Sequence, residues 1–436
     1  MLRSFRPPIS LVALLLGLSP PALASEASIA PEALRADLQL ALKEVRGRHP
    51  DLGSVVDEHA LATEVVRIER KIDEIDRPLS RTEAWALLTR LNPVFADGHL
   101  LIGLPGWRGE AARAIERGKG LFPFEIELDD QGNPRIAAAL GGGPHPLSGA
   151  LIRSINGVDA REVAAAMLAR AHGDTPKMRR ALVSERWWFF YKMLHDTPQR
   201  FDLVLEDVSA RRIRVAAASV LPAAIAREDS FAANFVCRVE RDGQALLRLG
   251  TFGWPDKPRF LAFTRDCFAA MRGAGTTHLL IDIRSNGGGN DDMWIDGVMP
   301  YVADKPWRTG STYLKRVDED DPTKGETAGE IVAGENDMRD APAADTPLAF
   351  RGQIAVRIGP MTYSSAVLFA NVMRDFGLAR LCGSGDAVRT RQSGGVRTLT
   401  LPASGLFLSF PRFILDPPSG KAAPTRLLAE GPCNFA

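Results

Sequence analysis

The chain has 436 residues, 45% hydrophobic and 25% charged, and its 54 basic and 53 acidic side chains leave a formal net charge of +1. A balance this even produces no field that would gather nucleic acid or an anionic membrane, so the expected partner is a peptide, a protein or a small molecule. The length exceeds what one core supports and calls for two or three domains.

Arg3 and Arg6 precede an apolar run from Ile9 to Leu18, then Pro-Pro and Ala22-Leu23-Ala24. These are the charged, apolar and small-residue regions of a secretory signal, so residues 1–25 are expected to be a leader cleaved near Ala24, with a periplasmic or secreted product. The run is too short to span a bilayer, and no other stretch approaches the roughly 20 apolar residues a span requires.

Residues 26–100 read as a helical cap or docking domain. Leu34, Leu38, Leu40, Ala41 and Val45 share one apolar face, and Val65, Val66, Ile68 and Ile72 belong to a second. Ser80 and Glu83 form a capping box that starts a helix with Trp85, Leu88 and Leu91, and Asp97-Gly98-His99 follows directly.

From 101 to about 220 the pattern changes to short strands, Phe122–Leu128, Ala150–Ile155 and Phe201–Leu205, separated by glycine and proline. The run Trp187-Trp188-Phe189-Phe190-Tyr191 cannot turn all five rings inward on one helix, so interdomain packing is expected, with a substrate cleft as the functional alternative.

A further domain, 221–436, alternates strand and helix: Ala245–Leu249, Phe260–Met271, Thr277–Ile283 and Met293–Val302, the order that builds a layered α/β fold. The polar stretch Trp307–Asp345, with acidic residues at 318–321, reads as an exposed loop or flap. Asn286-Gly287-Gly288-Gly289 forces a sharp exit from the strand ending at Ile283 and bares backbone amides of the kind that build an oxyanion hole. About seventy residues later Gln353–Ile358 reads as a strand, Gly359-Pro360 breaks it, and Ser364 stands at the entry of a helix, Ser365–Phe376. A serine at such a turn is either a plain N-cap or an exposed nucleophile beside a positive helix end.

Taken together, Asp282, Arg284, Asn286, Gly288 and Gly289, then Thr362, Ser364 and Ala366, resemble the tail-specific (C-terminal processing) protease family. That resemblance implies a crotonase/ClpP-like layered catalytic domain, with Ser364 rather than Ser365 as nucleophile and Gly287, Gly288 and Ser365 as oxyanion donors. It also implies hydrolysis of peptide or protein substrates without metal or organic cofactor. The bacterial branch pairs its serine with a lysine about 25 residues downstream, where this chain has Arg389, which cannot lose its proton near neutrality. The tricorn-core-like branch uses a histidine in an Asp-Gly-His setting, which makes His99 the expected general base. In that branch a C-terminal glutamate orients the histidine. Glu430 is its counterpart here, although the following Gly-Val-x-Pro-Asp pattern is missing and Asp97, Asp375 and Asp416 compete. His49, in an Arg-His-Pro setting that recurs in the family, is taken as structural. Ile155-Asn156-Gly157-Val158 and the helix after it resemble a PDZ domain, and a degenerate PDZ-like domain is expected over 101–220, without a recognisable carboxylate-binding loop.

The four cysteines, Cys237, Cys267, Cys382 and Cys433, lack Cys-x-x-Cys spacing, so no metal site is expected. In an oxidising compartment they allow three pairings. A Cys382–Cys433 bond would staple the short tail to the catalytic domain, whereas buried thiols are the alternative. Two other function classes remain open. One is a catalytically weak or inactive peptide- or lipid-binding relative of the same fold. The other is a thioester-processing enzyme of that fold, which a secretory leader disfavours.

Overall fold

A computed structural model describes residues 28–195, 197–206, 211–336 and 346–435. The expected leader lies outside the described residues. Among them, no helix is long and apolar enough to cross a membrane.

The N-terminal region is helical, as its periodicity predicts. Pro31–Arg48 buries Leu34, Leu38, Ala41, Leu42 and Val45, and Glu58–Asp73 buries Leu61, Ile68 and Ile72. Arg81–Leu88 opens with the capping box: Ser80 Oγ accepts from Glu83 N at 3.2 Å while Glu83 returns a bond to Ser80 N at 2.8 Å. Such a cap contributes about 1 kcal/mol. The short helix Asn92–Phe95 ends at Ala96, whose φ of 46° is left-handed and throws the chain out of helical register straight into Asp97-Gly98-His99. The strand Leu101–Gly103 then pairs antiparallel with Phe407–Phe410, and Ser409 Oγ donates to the His99 carbonyl at 2.8 Å. The loop that carries His99 is thereby tied to the far end of the sequence.

An antiparallel sheet follows, with Phe124–Leu128, Pro134–Ala139, Leu151–Ile155, Arg200–Glu206 and Arg212–Ala216 as neighbours in that order. Asn156 and Gly157, at φ 50° and 84°, make the tight turn before Val158–Asp159 and the helix Ala160–Leu168. The five-aromatic run forms the helix Trp187–Leu194, and all five rings are buried. Phe189 and Phe190 meet Trp85 of the N-terminal helices, while Trp187 and Tyr191 meet Phe122 beside the sheet. Packing from two sides is what lets consecutive rings all be covered.

The third region is built on a five-stranded sheet in the order Arg380–Gly383, Gln353–Ile358, His278–Asp282, Gln244–Leu249, Phe235–Val239. The first four strands run parallel and the last is antiparallel. Helices Lys257–Gly273 and Ser365–Asp375 pack on it, burying Phe260, Phe268 and Met271 from the first and Val367, Leu368 and Val372 from the second. The expected helix Met293–Val302 is broken at Val298 into Asp291–Gly297 and Met299–Val302, with Pro300 in the first turn of the second piece.

The polar stretch after Trp307 departs from the expected loop. Thr312–Arg316 and Ile331–Glu335 form a hairpin whose inner strand pairs with Phe413–Leu415, which in turn pairs with Gln392–Gly394. Partner strands from the end of the chain stabilise a segment whose own apolar content is too low to announce it. Residues 337–345 of that stretch lie outside the described residues.

Two hydrophobic cores result. One joins the N-terminal helices and the antiparallel sheet with Leu401, Leu406, Leu408 and Phe410. The other fills the five-stranded sheet and its helices. Disulfides link Cys237 to Cys267 and Cys382 to Cys433. The second pins a tail whose backbone runs along residues 383–390, through Gly383 N to Gly431 O, Asp386 N to Leu427 O and Thr390 N to Thr425 O.

Candidate active site

Two sharp turns at the ends of adjacent parallel strands meet here. After His278–Asp282 the chain turns through Asn286, whose Oδ1 accepts from Gly288 N at 2.9 Å and whose Nδ2 donates to Leu249 O at 3.1 Å. Gly288 and Gly289 have φ of 100° and 139°. A Cβ on Gly289 would fall 2.1 Å from the Phe252 backbone, and one on Gly288 would fall 2.7 Å from Ser364 Cβ and 3.0 Å from Ser365 N. Only glycine fits, and its absence of a side chain is what lets this loop lie against the serine turn.

The serine turn is held by its neighbours. Thr362 Oγ1 donates to Ile283 O and accepts from Gly359 N, each at 2.9 Å, and Tyr363 N donates to Asn286 O at 2.9 Å. Ser364 itself sits at φ 54°, ψ −127°, a region non-glycine residues avoid at a cost of about 1–3 kcal/mol. Its N–H is held by Gln392 Oε1 at 3.0 Å, and its half-buried hydroxyl has no hydrogen-bond partner among the described residues. Ser365 differs: its hydroxyl donates to Asp291 and accepts from Trp294 Nε1 at 3.0 Å. Of the two serines, only Ser364 has a free hydroxyl.

The oxyanion expectation needs one correction. The Gly288 N–H already donates to Asn286, so it is not available to a developing oxyanion. The N–H groups of Gly287 and Ser365 have no acceptor among the described residues.

His99 lies beside the nucleophile turn, its ring centroid 4.8 Å from that of Tyr363. Its Nδ1 is 2.9 Å from Ser393 Oγ, and its backbone N–H donates to Asp97 Oδ1 at 2.7 Å. Nε2 makes no hydrogen bond among the described residues, and none joins His99 to Ser364. Burial lowers the proton affinity of this ring below the usual histidine value, and the Asp97 charge offsets that only in part, so the imidazole is neutral at neutral pH.

Glu430 does not join this group. It is exposed, and its backbone N–H donates to Leu381 O at the edge of the sheet. Two of the competing carboxylates are committed elsewhere: Asp375 to Arg374 and Ser419, and Asp416 to Arg391 and Thr312. The carboxylate at the base is Asp97, which accepts from Ser393 Oγ at 2.9 Å and lies 3.5 Å from His49 Nε2. Burial alone would raise its pKa. The His49 hydrogen bond, the electrostatic pull of the His99 and His49 rings and the His99 backbone N–H together hold it well below the usual carboxylate range.

Arg389, at the position of the expected lysine, donates to Ala96 O at 2.6 Å and lies 3.7 Å from Asp174. Asp174 also accepts from Gly98 N and from the Tyr363 hydroxyl. Arg389 thus clamps the loop that carries His99 and takes no part as a base. Ser393, Gln392 and Asp174 were not visible as site residues, because each contacts the site across 28 to 296 positions of sequence. No group of three His, Cys, Asp or Glu side chains among the described residues could hold a metal ion.

Residues 245–424 match the sequence profile of Peptidase family S41. The fold is that of mature CPAF complexed with lactacystin, at 13% identity over 93% of this chain and 94% of that one, TM-score 0.65. A second structure of mature CPAF matches at 13% identity over 93% of each chain, TM-score 0.63. The photosystem II D1 C-terminal processing protease also matches, at 13% identity over 89% of each chain, TM-score 0.44. No curated protein sequence matches. Residues 245–424, which hold both the glycine loop and the Ser364 turn, are thus similar to Peptidase family S41, a family of serine-type peptidases.

Proposed function

We propose that the protein hydrolyses peptide bonds through an acyl-enzyme on Ser364 with His99 as general base. The observation that carries this reading is the pairing of a strained serine with a free hydroxyl and a neutral histidine whose Nε2 is unengaged, both bordering Tyr363. His99 Nε2 takes the Ser364 proton as Oγ attacks the carbonyl carbon. The N–H groups of Gly287 and Ser365 receive the oxyanion, and collapse expels the amine, which recovers the proton from His99. Water, deprotonated by the same ring, then releases the acyl group and restores Ser364. General acid–base help of this kind is worth roughly 100- to 10,000-fold. A hydrogen bond missing in the free enzyme is no obstacle, since such bonds tighten on substrate binding.

A groove of about 540 Å³ bordered by Ser285, Gly359, Pro360 and Met361 adjoins both turns and offers an approach for an extended chain. The antiparallel sheet with its Asn156-Gly157 turn supports a PDZ-like reading of 101–220, with 26–100 as helical cap and 221–436 as catalytic region. Two disulfides and the leader-like start support a periplasmic or secreted location.

The test is labelling of the mature protein by a serine-directed fluorophosphonate with peptide mapping, beside Ser364→Ala and His99→Ala. Label on Ser364 that both substitutions abolish, with circular dichroism unchanged, is the expected result. Absence of label in the wild type, together with retained peptide or lipid binding, would replace the reading with that of an inactive binding relative.

A further inference from the structure

We infer that Ser393 is a positioning residue that fixes the working tautomer of His99 by bridging its Nδ1 to the Asp97 carboxylate. The inference rests on the Ser/His reading above and supplies the third member that Glu430 does not.

Ser393 Oγ carries a single hydrogen and lies 2.9 Å from His99 Nδ1 and 2.9 Å from Asp97 Oδ1. Asp97 is ionised and can only accept, so the hydroxyl hydrogen goes to it. Ser393 Oγ then has lone pairs alone to offer His99, and Nδ1 must be the protonated nitrogen. A neutral imidazole with hydrogen on Nδ1 has its lone pair on Nε2, the nitrogen that has no partner and is left for the nucleophile.

The surroundings keep Asp97 an acceptor. His49 Nδ1 accepts from Asp51 N at 3.1 Å, so its Nε2 carries the hydrogen and points it toward Asp97 Oδ2. The His99 backbone N–H also donates to Oδ1, whereas the Tyr363 hydroxyl, 3.4 Å away, gives its one hydrogen to Asp174 at 2.9 Å. With donors on every side, the carboxylate has no need of a proton of its own. The strand Gln392–Gly394 therefore serves both halves of the site: Gln392 holds the Ser364 backbone and the next residue holds the base.

No proton moves along this bridge during the reaction. When His99 becomes an imidazolium, the new hydrogen is on Nε2, the one on Nδ1 stays there and still donates to Ser393 Oγ, and the Ser393 hydroxyl keeps its own hydrogen, still donated to Asp97. The serine hydroxyl transmits orientation and the field of the carboxylate, the part a directly bonded carboxylate plays in a triad.

The experiment is long-range ¹⁵N–¹H NMR of histidine-labelled mature protein, with His99→Gln to assign the signal, beside steady-state kinetics on a fluorogenic peptide. In the wild type above its titration, His99 should show a protonated Nδ1 and a bare Nε2. Ser393→Ala should move the proton to Nε2 and lower kcat by 100-fold or more while KM changes less than threefold, and Ser393→Thr should restore both. Asp97→Asn, which leaves Ser393 in place, should also lose the Nδ1 tautomer. An unchanged tautomer in Ser393→Ala, or a changed tautomer with kcat within threefold of wild type, overturns the assignment. Because the NMR signal does not require turnover, failure of the peptidase reading, seen as no label on Ser364, is distinguishable from failure of this one.

Discussion

Adding one methyl group at Gly288 should disable the enzyme, whereas the same addition at Gly287 should not. At Gly288 the new carbon would lie 2.7 Å from Ser364 Cβ, 2.8 Å from Tyr363 O and 3.0 Å from Ser365 N, all in the turn that presents the nucleophile. Its φ of 100° is also one that alanine avoids, costing about 1–3 kcal/mol. Two of the three contacts are backbone atoms, so relief requires the serine turn to shift by several tenths of an ångström. A displacement approaching 1 Å costs about 100-fold in rate, or roughly 2.7 kcal/mol of barrier. A Cβ on Gly287 meets nothing within 4 Å, and its N–H remains available to the oxyanion. The assay is the second-order rate of fluorophosphonate labelling at Ser364 together with kcat/KM on a fluorogenic peptide, read beside the thermal midpoint. Gly288→Ala should lose about 100-fold in both rates and Gly287→Ala should stay within a few-fold. A Gly288→Ala enzyme within threefold of wild type would refute the close packing of the two turns.

Since the general base must be neutral and its pKa is held below the ordinary 6.5, kcat/KM should fall only as pH drops through that depressed value, with the acid inflection below 6.5. A pH–rate profile inflecting at 7 or above would contradict the environment described for His99. Arg389→Lys in a His99→Ala background should remain inactive, because the side chain at 389 points its charge at Ala96 O and Asp174. Peptide hydrolysis regained there would mean the lysine can reach Ser364. Arg389→Ala leaves the buried Asp174 and the Ala96 carbonyl without that donor and should lower stability by about 2–3 kcal/mol in a denaturant titration. Paired Cys382→Ser and Cys433→Ser should lower it by about 4 kcal/mol, as expected for a crosslink spanning 51 residues, and an unchanged denaturation midpoint would show the tail to be held by its backbone pairing alone.

What the sequence discloses follows from how local the determinants are. The strand Gln353–Ile358, the helix starting at Ser365 and the capping box at Ser80 depend on spacing within a dozen residues, and the structure has them where expected. His99 was singled out by the family resemblance, since Asp97-Gly98-His99 by its spacing alone reads as a loop at a helix end. The third member of the site was not. Family pattern favoured Glu430, but the tail that carries it runs along the sheet edge, and Asp97, which bonds the His99 backbone directly, reaches the His99 ring through Ser393, 294 residues from His99. Nothing in Arg391-Gln392-Ser393 marks it as more than a polar stretch. The hairpin of Thr312–Arg316 and Ile331–Glu335 went unseen for a related reason, since its pairing partner Phe413–Leu415 lies a hundred residues away.

The tie between Leu101–Gly103 and Phe407–Phe410 has a consequence for biogenesis. During synthesis from the amino terminus, the loop bearing His99 emerges long before the strand that must anchor it and before Gln392 and Ser393 exist as chain. The N-terminal core is likewise incomplete until Leu401–Phe410 arrive. A nascent chain therefore carries its histidine unoriented and its serine unformed, and the hydrolytic centre cannot switch on in pieces. Folding waits on contacts of very high sequence separation, which makes it slow.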